Sequence, residues 1–176
     1  DGLDAWCDLE YDYIGAPWLK SVFEPVSREA GFASVGNGGL SLRRVSSMLG
    51  VLKSRRYAVD PWANWAKRIT GQPLSKRVLG VPRALAKWVG PLNNIRGEIA
   101  GVEYNEDLFW SHRATWYDPS FKIAPIEVAL RFAFEEEPRY CFEQNRRRLP
   151  FGCHAWQKYD REFWEPHTLT ETSTVG

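Results

Sequence analysis

Val35-Gly36-Asn37-Gly38-Gly39-Leu40-Ser41-Leu42-Arg43 joins a glycine cluster directly to an alternating apolar and polar run that ends on an arginine. Three glycines within four positions allow positive φ angles and let another molecule come close to the main chain. The stretch is therefore a candidate floor for a ligand site. If extended, the run that follows sends Leu40 and Leu42 to one face and Ser41 and Arg43 to the other, the period of a half-buried strand. On its own residues the same stretch also reads as a plain hairpin turn, because Asn-Gly and Gly-Gly are ordinary turn residues.

The surrounding chain narrows the choice of class. Its 176 residues leave room for one domain with a real core and not for two comfortable ones. With 23 Lys+Arg against 22 Asp+Glu the net charge is +1, so no global field draws the protein to nucleic acid or to an anionic membrane. Nine Trp suit either a Trp-rich core or a surface that stacks on flat partners such as sugar rings. Cys7, Cys141 and Cys153 form no CxxC pair and are odd in number. They indicate neither a disulfide framework nor a zinc knuckle, and they point to a reducing, cytoplasmic compartment. No run of about 18 apolar residues and no charged-then-apolar leader is present, so neither a membrane span nor a signal peptide is expected. The chain starts at Asp1 without a methionine, which suits an excised piece.

Outward from the glycines, Tyr13-Ile14 reads as a short buried strand and Gly15-Ala16-Pro17-Trp18 as the bend that stops it. Residues 19–34, with Pro25 and Gly31, read as a loop placed to cover a site. Beyond Arg43, the spacing of Val45, Met48, Leu49 and Leu52 predicts an amphipathic helix, with Lys53, Arg55 and Arg56 at its C-terminal end. Four prolines break up residues 57–101, a basic segment whose tryptophans either pack inward in a solvated helical insert or bind phosphate chains or glycans.

Asn105-Glu106-Asp107-Leu108-Phe109-Trp110 places two carboxylates at the mouth of an apolar helix. A carboxylate fixed there can act as a general base, although an acidic helix start with no chemical role has the same pattern. Residues 125–137 predict one amphipathic helix that begins at Pro125, ends in Glu135-Glu136-Glu137 and is stopped by Pro138. His154, between a cysteine and an alanine in Phe151-Gly152-Cys153-His154-Ala155-Trp156, is either a metal ligand through a neutral ring nitrogen or a packed residue. The Thr- and Ser-rich tail after Pro166 predicts disorder or a crossing strand.

Four motifs taken in order carry a resemblance: Asp12-Tyr13-Ile14-Gly15-Ala16-Pro17-Trp18, then Val35 to Arg43, then Asn105-Glu106-Asp107, then Pro150-Phe151-Gly152-Cys153-His154. Together they resemble an uncharacterised domain family related to glycosyltransferases, over most of residues 8–156 with 57–101 left out. Members look like GT-A glycosyltransferases, nucleotide-sugar enzymes with a Rossmann-like α/β sheet. The order of glycine turn, strand, helix and Glu-Asp pair is also similar to galactosyltransferases.

The resemblance implies an α/β fold, a GT-A mixed sheet flanked by helices, of which this chain holds mainly the C-terminal acceptor half plus the helical insert. Length and the composition of the tail give a single domain over residues 1–166, with 57–101 as its insert, and a tail over 167–176. The resemblance also implies transfer of a sugar from a nucleotide-sugar donor to a hydroxyl of a glycan or other acceptor, inverting and metal-dependent. Asp107 would deprotonate the hydroxyl and Glu106 orient it. Gly38 and Gly39 would let the backbone approach the sugar, with Asn37, Trp18 and Arg43 binding substrate. His154 and Asp1 would hold the metal, and oxygen ligands plus one imidazole suit Mn²⁺ somewhat better than Mg²⁺. A non-catalytic glycan-binding module on the same scaffold is the alternative, and a phosphate-binding domain working through Arg146-Arg147-Arg148 is a third possibility.

Overall fold

A computed structural model describes residues 2–20, 31–56, 94–100 and 105–168. The chain divides into two compact units, one formed by Asp1–Arg44 with Lys122–Gly176 and the other by Val45–Phe121. Both strands and helices are present, with a small antiparallel sheet in the first unit.

After helix α1 (Leu3–Cys7), strand β1 (Tyr13–Leu19) runs antiparallel to β2 (Phe32–Arg43). Tyr13, Ile14 and Ala16 are all fully buried, so this apolar run is covered on both faces. The strand does not stop at Gly15. It continues through Ala16 and Pro17, which pair with Gly36 and Val35. The ladder is irregular on either side of this segment, between Gly15 and Ala16 and between Trp18 and Leu19, and such interruptions accommodate a residue without an N–H.

The glycine cluster does not turn the chain back. Gly15 pairs with Ser41, and the next residue, Ala16, pairs with Gly36. Residues 37–40 therefore form an excursion of β2 that the ladder skips. Asn37 within it has φ 114°, a region that costs a non-glycine residue energy. At the neck of the excursion the chains are so close that a β-carbon on Gly15 would overlap the carbonyl oxygen of Gly36.

Leu40 and Leu42 both pack against the core of Ile14, Ala16, Ala124, Val128, Phe132 and Ala133, as the alternating pattern predicts. Arg43 Nε donates to Ser41 Oγ at 2.9 Å, and its guanidinium lies 5.6 Å from the Tyr13 ring centre. Asp12, 6% exposed, ties the ends of these segments together. Its Oδ2 accepts the Lys122 N–H at 2.8 Å, and its carbonyl accepts the Arg44 N–H at 2.9 Å.

The segment from Pro125 departs from the predicted single helix. The helix that begins after Pro125 spans only Ile126–Phe132, and Ala133–Phe134 then form a strand, β3, parallel to β4 (Gly152–Cys153). Two effects explain the break. Ala133 and Phe134 are fully buried in the strand, and three adjacent carboxylates would oppose the dipole at a helix C-terminus. Pro138 begins the next helix, Pro138–Gln144, instead of stopping the previous one, because proline suits the first turn. The last described helix, Arg161–Thr168, includes His167 and buries Trp164 against Leu130, Phe134 and Cys141. Burial pushes the Cys141 thiol up to about 12.

The second unit contains helices Val45–Leu52, Asn94–Ala100, Glu106–His112 and Ala114–Tyr117. The Val45–Leu52 helix forms as predicted but buries Met48 and Val51, while Val45, Leu49 and Leu52 stay exposed. Val51, which the predicted stripe omitted, is fully covered. Most of the proposed insert, and residues 21–30 of the predicted loop, lie outside the described residues. Among the described residues no helix is long and apolar enough to cross a membrane.

Two measurements check this fold. Gly15→Ala should lower stability by about 1–3 kcal/mol in denaturant unfolding, as overpacking does, and an unchanged midpoint would contradict the close neck. Iodoacetamide at mildly alkaline pH should label the exposed Cys7 and spare Cys141. Because the Cys141 thiol ionises near 9.0 when unfolded and only at about 12 when folded, its contribution is intact below 9.0. That contribution should be lost as pH rises from there.

Candidate functional site

The two short parallel strands set the site. Phe134 pairs with Cys153, so the next residues, Glu135 and His154, emerge side by side at the carboxyl ends of β3 and β4. The His154 N–H donates to the Phe134 carbonyl at 3.1 Å, which extends the ladder by one residue. Beyond it, His154 Nδ1 lies 2.8 Å from Glu135 Oε1. The carboxylate side chain is 15% exposed and the imidazole 40%, so the acid is the buried partner and the ring remains open to solvent on part of its surface. Burial first, and then the Glu135 carboxylate, hold the neighbouring Glu136 carboxyl above its usual range.

The glycine excursion lies against this pair. A β-carbon on Gly39 would overlap Nε2, Cδ2 and Cε1 of His154 almost equally. A point nearly equidistant from those three ring atoms at contact range sits over the ring face, so the Gly39 α-carbon is stacked on the imidazole and leaves the in-plane direction of Nε2 clear of it. Gly36 uses the same device on the six-membered ring of Trp18, whose Cη2, Cζ2 and Cζ3 a β-carbon would overlap. Leu40 closes the arrangement from the other end, with its Cδ2 2.7 Å from where a β-carbon on Gly152 would stand.

Asn37 is the polar centre of the excursion and is 2% exposed. Its Oδ1 accepts the Gly39 N–H at 2.6 Å, and its main-chain carbonyl accepts the Tyr13 hydroxyl at 3.3 Å. Because an N–H points at Oδ1, the amide cannot be flipped without setting two donors against each other. Its Nδ2 is buried with no hydrogen-bond partner. A buried donor left unmade costs about 1–3 kcal/mol, so this atom calls for a water or a ligand oxygen.

Of the sequence-predicted residues, Asn37, Gly39, Trp18 and His154 therefore gather in the first unit, with Gly38 in the same excursion. Arg43 sits further along β2, over Tyr13. Glu106 and Asp107 belong to the second unit, in the first turn of Glu106–His112. Asp107 is buried and its Oδ1 accepts the Leu108 N–H at 2.9 Å, while Glu106 is exposed. Buried Phe109 and Trp110 anchor that turn, as the apolar run predicts. Asp1 lies outside the described residues.

Glu135 was not among the predicted site residues, because Glu135-Glu136-Glu137 reads as a charged helix end. The pattern that points to it is the match between Ala133-Phe134-Glu135 and Gly152-Cys153-His154, two small or apolar residues and then a functional group. Among the described residues no group of three or more His, Cys, Asp or Glu is disposed to hold a metal ion. His154 offers one ring nitrogen, and Mg²⁺ or Mn²⁺ needs several oxygen donors besides.

Residues 1–154 match the family model described as Protein of unknown function (DUF5672). No curated protein and no solved structure matches the chain.

The stacking of Gly39 on His154 has a direct spectroscopic consequence. The Gly39 α-proton resonances should be displaced upfield by the imidazole ring current and return to the ordinary glycine range in His154→Ala. Undisplaced α-protons in the parent protein would contradict the geometry.

Proposed function

The chain belongs to the DUF5672 family, and we propose that it acts as part of a glycosyltransferase of the GT-A type, moving a sugar from a nucleotide-sugar donor to an acceptor hydroxyl. The observation that carries this reading is the group at the glycine excursion. It combines a polar donor with no partner at Asn37 Nδ2, an imidazole held by a carboxylate, and side-chain-free backbone at Gly39. A polyhydroxylated ring needs hydrogen-bonding groups for its hydroxyls and backbone free of side chains beside it, which the half-exposed imidazole and Gly39 provide, with Asn37 Nδ2 buried behind them.

In this proposal the acceptor hydroxyl oxygen attacks the anomeric carbon while the bond from that carbon to the diphosphate oxygen breaks. The hydroxyl proton passes to a carboxylate base, the role the sequence assigns to Asp107, and the electron pair of the broken bond leaves with the diphosphate. One displacement inverts the anomeric configuration. Glu106, exposed beside Asp107, orients the acceptor. A divalent ion, Mn²⁺ or Mg²⁺, belongs to the proposal as the charge partner of the leaving diphosphate. The sequence assigns it to Asp1 and His154; Asp1 is outside the described residues, and the free ring nitrogen of His154 is not counted among its ligands, because a sugar hydroxyl has first claim on it.

The test is a transfer assay of the full-length protein with a panel of nucleotide sugars and Mn²⁺, comparing the parent with Asp107→Asn. Loss of a general base typically lowers kcat by about 10²–10⁴-fold, with sugar binding retained. Equal rates in the two proteins would remove Asp107 from the mechanism. Sugar binding without turnover in the parent would point to a glycan-binding module.

A further inference from the structure

The Glu135–His154 pair has no assigned role, and its geometry defines one. An ionised carboxylate can only accept hydrogen bonds, so a neutral imidazole whose Nδ1 lies 2.8 Å from Glu135 Oε1 carries its proton on Nδ1. Nε2 is then a bare acceptor. Free imidazole side chains favour the opposite tautomer, so this arrangement has to be imposed by the fold. Three features impose it. The parallel register of β3 and β4 puts the two residues side by side, the His154 N–H bond to the Phe134 carbonyl fixes the histidine backbone, and Gly39 lies on the ring face and restricts its rotation.

The same stacking leaves the in-plane direction of Nε2 clear of the glycine, and the imidazole is 40% exposed. The open acceptor on this side of the excursion is therefore Nε2 of His154. A neutral sugar hydroxyl, which can donate to it, suits such a group. An anion such as a phosphate does not, since the bare Nε2 and the nearby Glu135 carboxylate would repel it.

We propose that Glu135 is a positioning residue that fixes His154 in the Nδ1–H tautomer, so that Nε2 accepts the hydroxyl of a neutral sugar bound at the glycine excursion. This rests on the glycosyltransferase reading for the identity of the ligand. The tautomer itself does not depend on that reading.

The experiment is long-range ¹H–¹⁵N correlation NMR of the histidine rings, at a pH where His154 is neutral, on the full chain and on Glu135→Leu and Glu135→Gln. The parent should show a proton-bearing Nδ1 and a bare Nε2. Glu135→Leu should move the proton to Nε2, and Glu135→Gln, whose amide oxygen still accepts, should retain the parent pattern. A parent ring protonated on Nε2, or an unchanged pattern in Glu135→Leu, overturns the proposal. If the leucine variant does not fold, the parent spectrum decides, with a bare Nε2 supporting the proposal and a protonated one overturning it. Stoichiometric MnCl₂ broadening the His154 ring signals would assign Nε2 to a metal and overturn the hydroxyl role. A correct tautomer in a protein that transfers none of the panel sugars would leave Glu135 in its role and count against the glycosyltransferase reading instead.

Discussion

The pairing of Ala16 with Gly36, directly after that of Gly15 with Ser41, is the constraint on which the first unit depends. It forces residues 37–40 out of the ladder while Leu40 and Leu42 remain committed to the core. The backbone can make that detour only with small residues at its crowded points, because Gly15, Gly36 and Gly39 each stand where a β-carbon would collide with a neighbour. The glycines therefore serve contact more than turning. Leu40 then presses on Gly152, two residues before His154, so the detour that exposes Gly39 also braces the strand presenting the histidine.

Polar satisfaction separates structural groups from candidate functional ones. Asp12 is buried and has its partners, the Lys122 N–H on Oδ2 and Arg44 Nε 3.6 Å from Oδ1. A buried charge with partners is the expected state of a structural residue. Asn37 breaks the rule, since its Oδ1 and carbonyl are used and its Nδ2 is not. It also keeps a positive φ that a glycine would adopt at no cost. Trp6 Nε1 and Trp164 Nε1 in the same unit are buried without a partner too, and what sets Asn37 apart is that its open donor coincides with a φ of 114° in the excursion whose Gly39 lies on the His154 ring.

Much of the fold was legible in the sequence where periodicity and burial agree. The Leu40 and Leu42 face and the buried Tyr13-Ile14 strand of the first unit, and the anchored turn at Asp107 of the second, all follow from local periodicity. What the sequence concealed depended on long-range pairing. Pro17 looks like a stop until the irregular register around it is known. Phe132-Ala133-Phe134 keeps a helical spacing and becomes a strand only because Gly152-Cys153 lies beside it. Glu135 acquires meaning from the same pairing, which joins positions 19 residues apart. For the helix after Arg43, the apolar spacing established the element and misplaced its buried face. Several apolar residues on a short helix allow more than one stripe, and contact with Met48 and Val51 selects among them.

The central claim is that the excursion, with His154 beside it, receives a sugar. The most direct measurement is an amide and side-chain ¹⁵N NMR titration of the full chain with a panel of nucleotide sugars and simple glycosides. The account predicts that a binding sugar shifts the amides of Gly36, Asn37 and Gly39 and the side-chain amide of Asn37 together, with the His154 ring. Binding that moves other resonances and leaves all of these in place would contradict it.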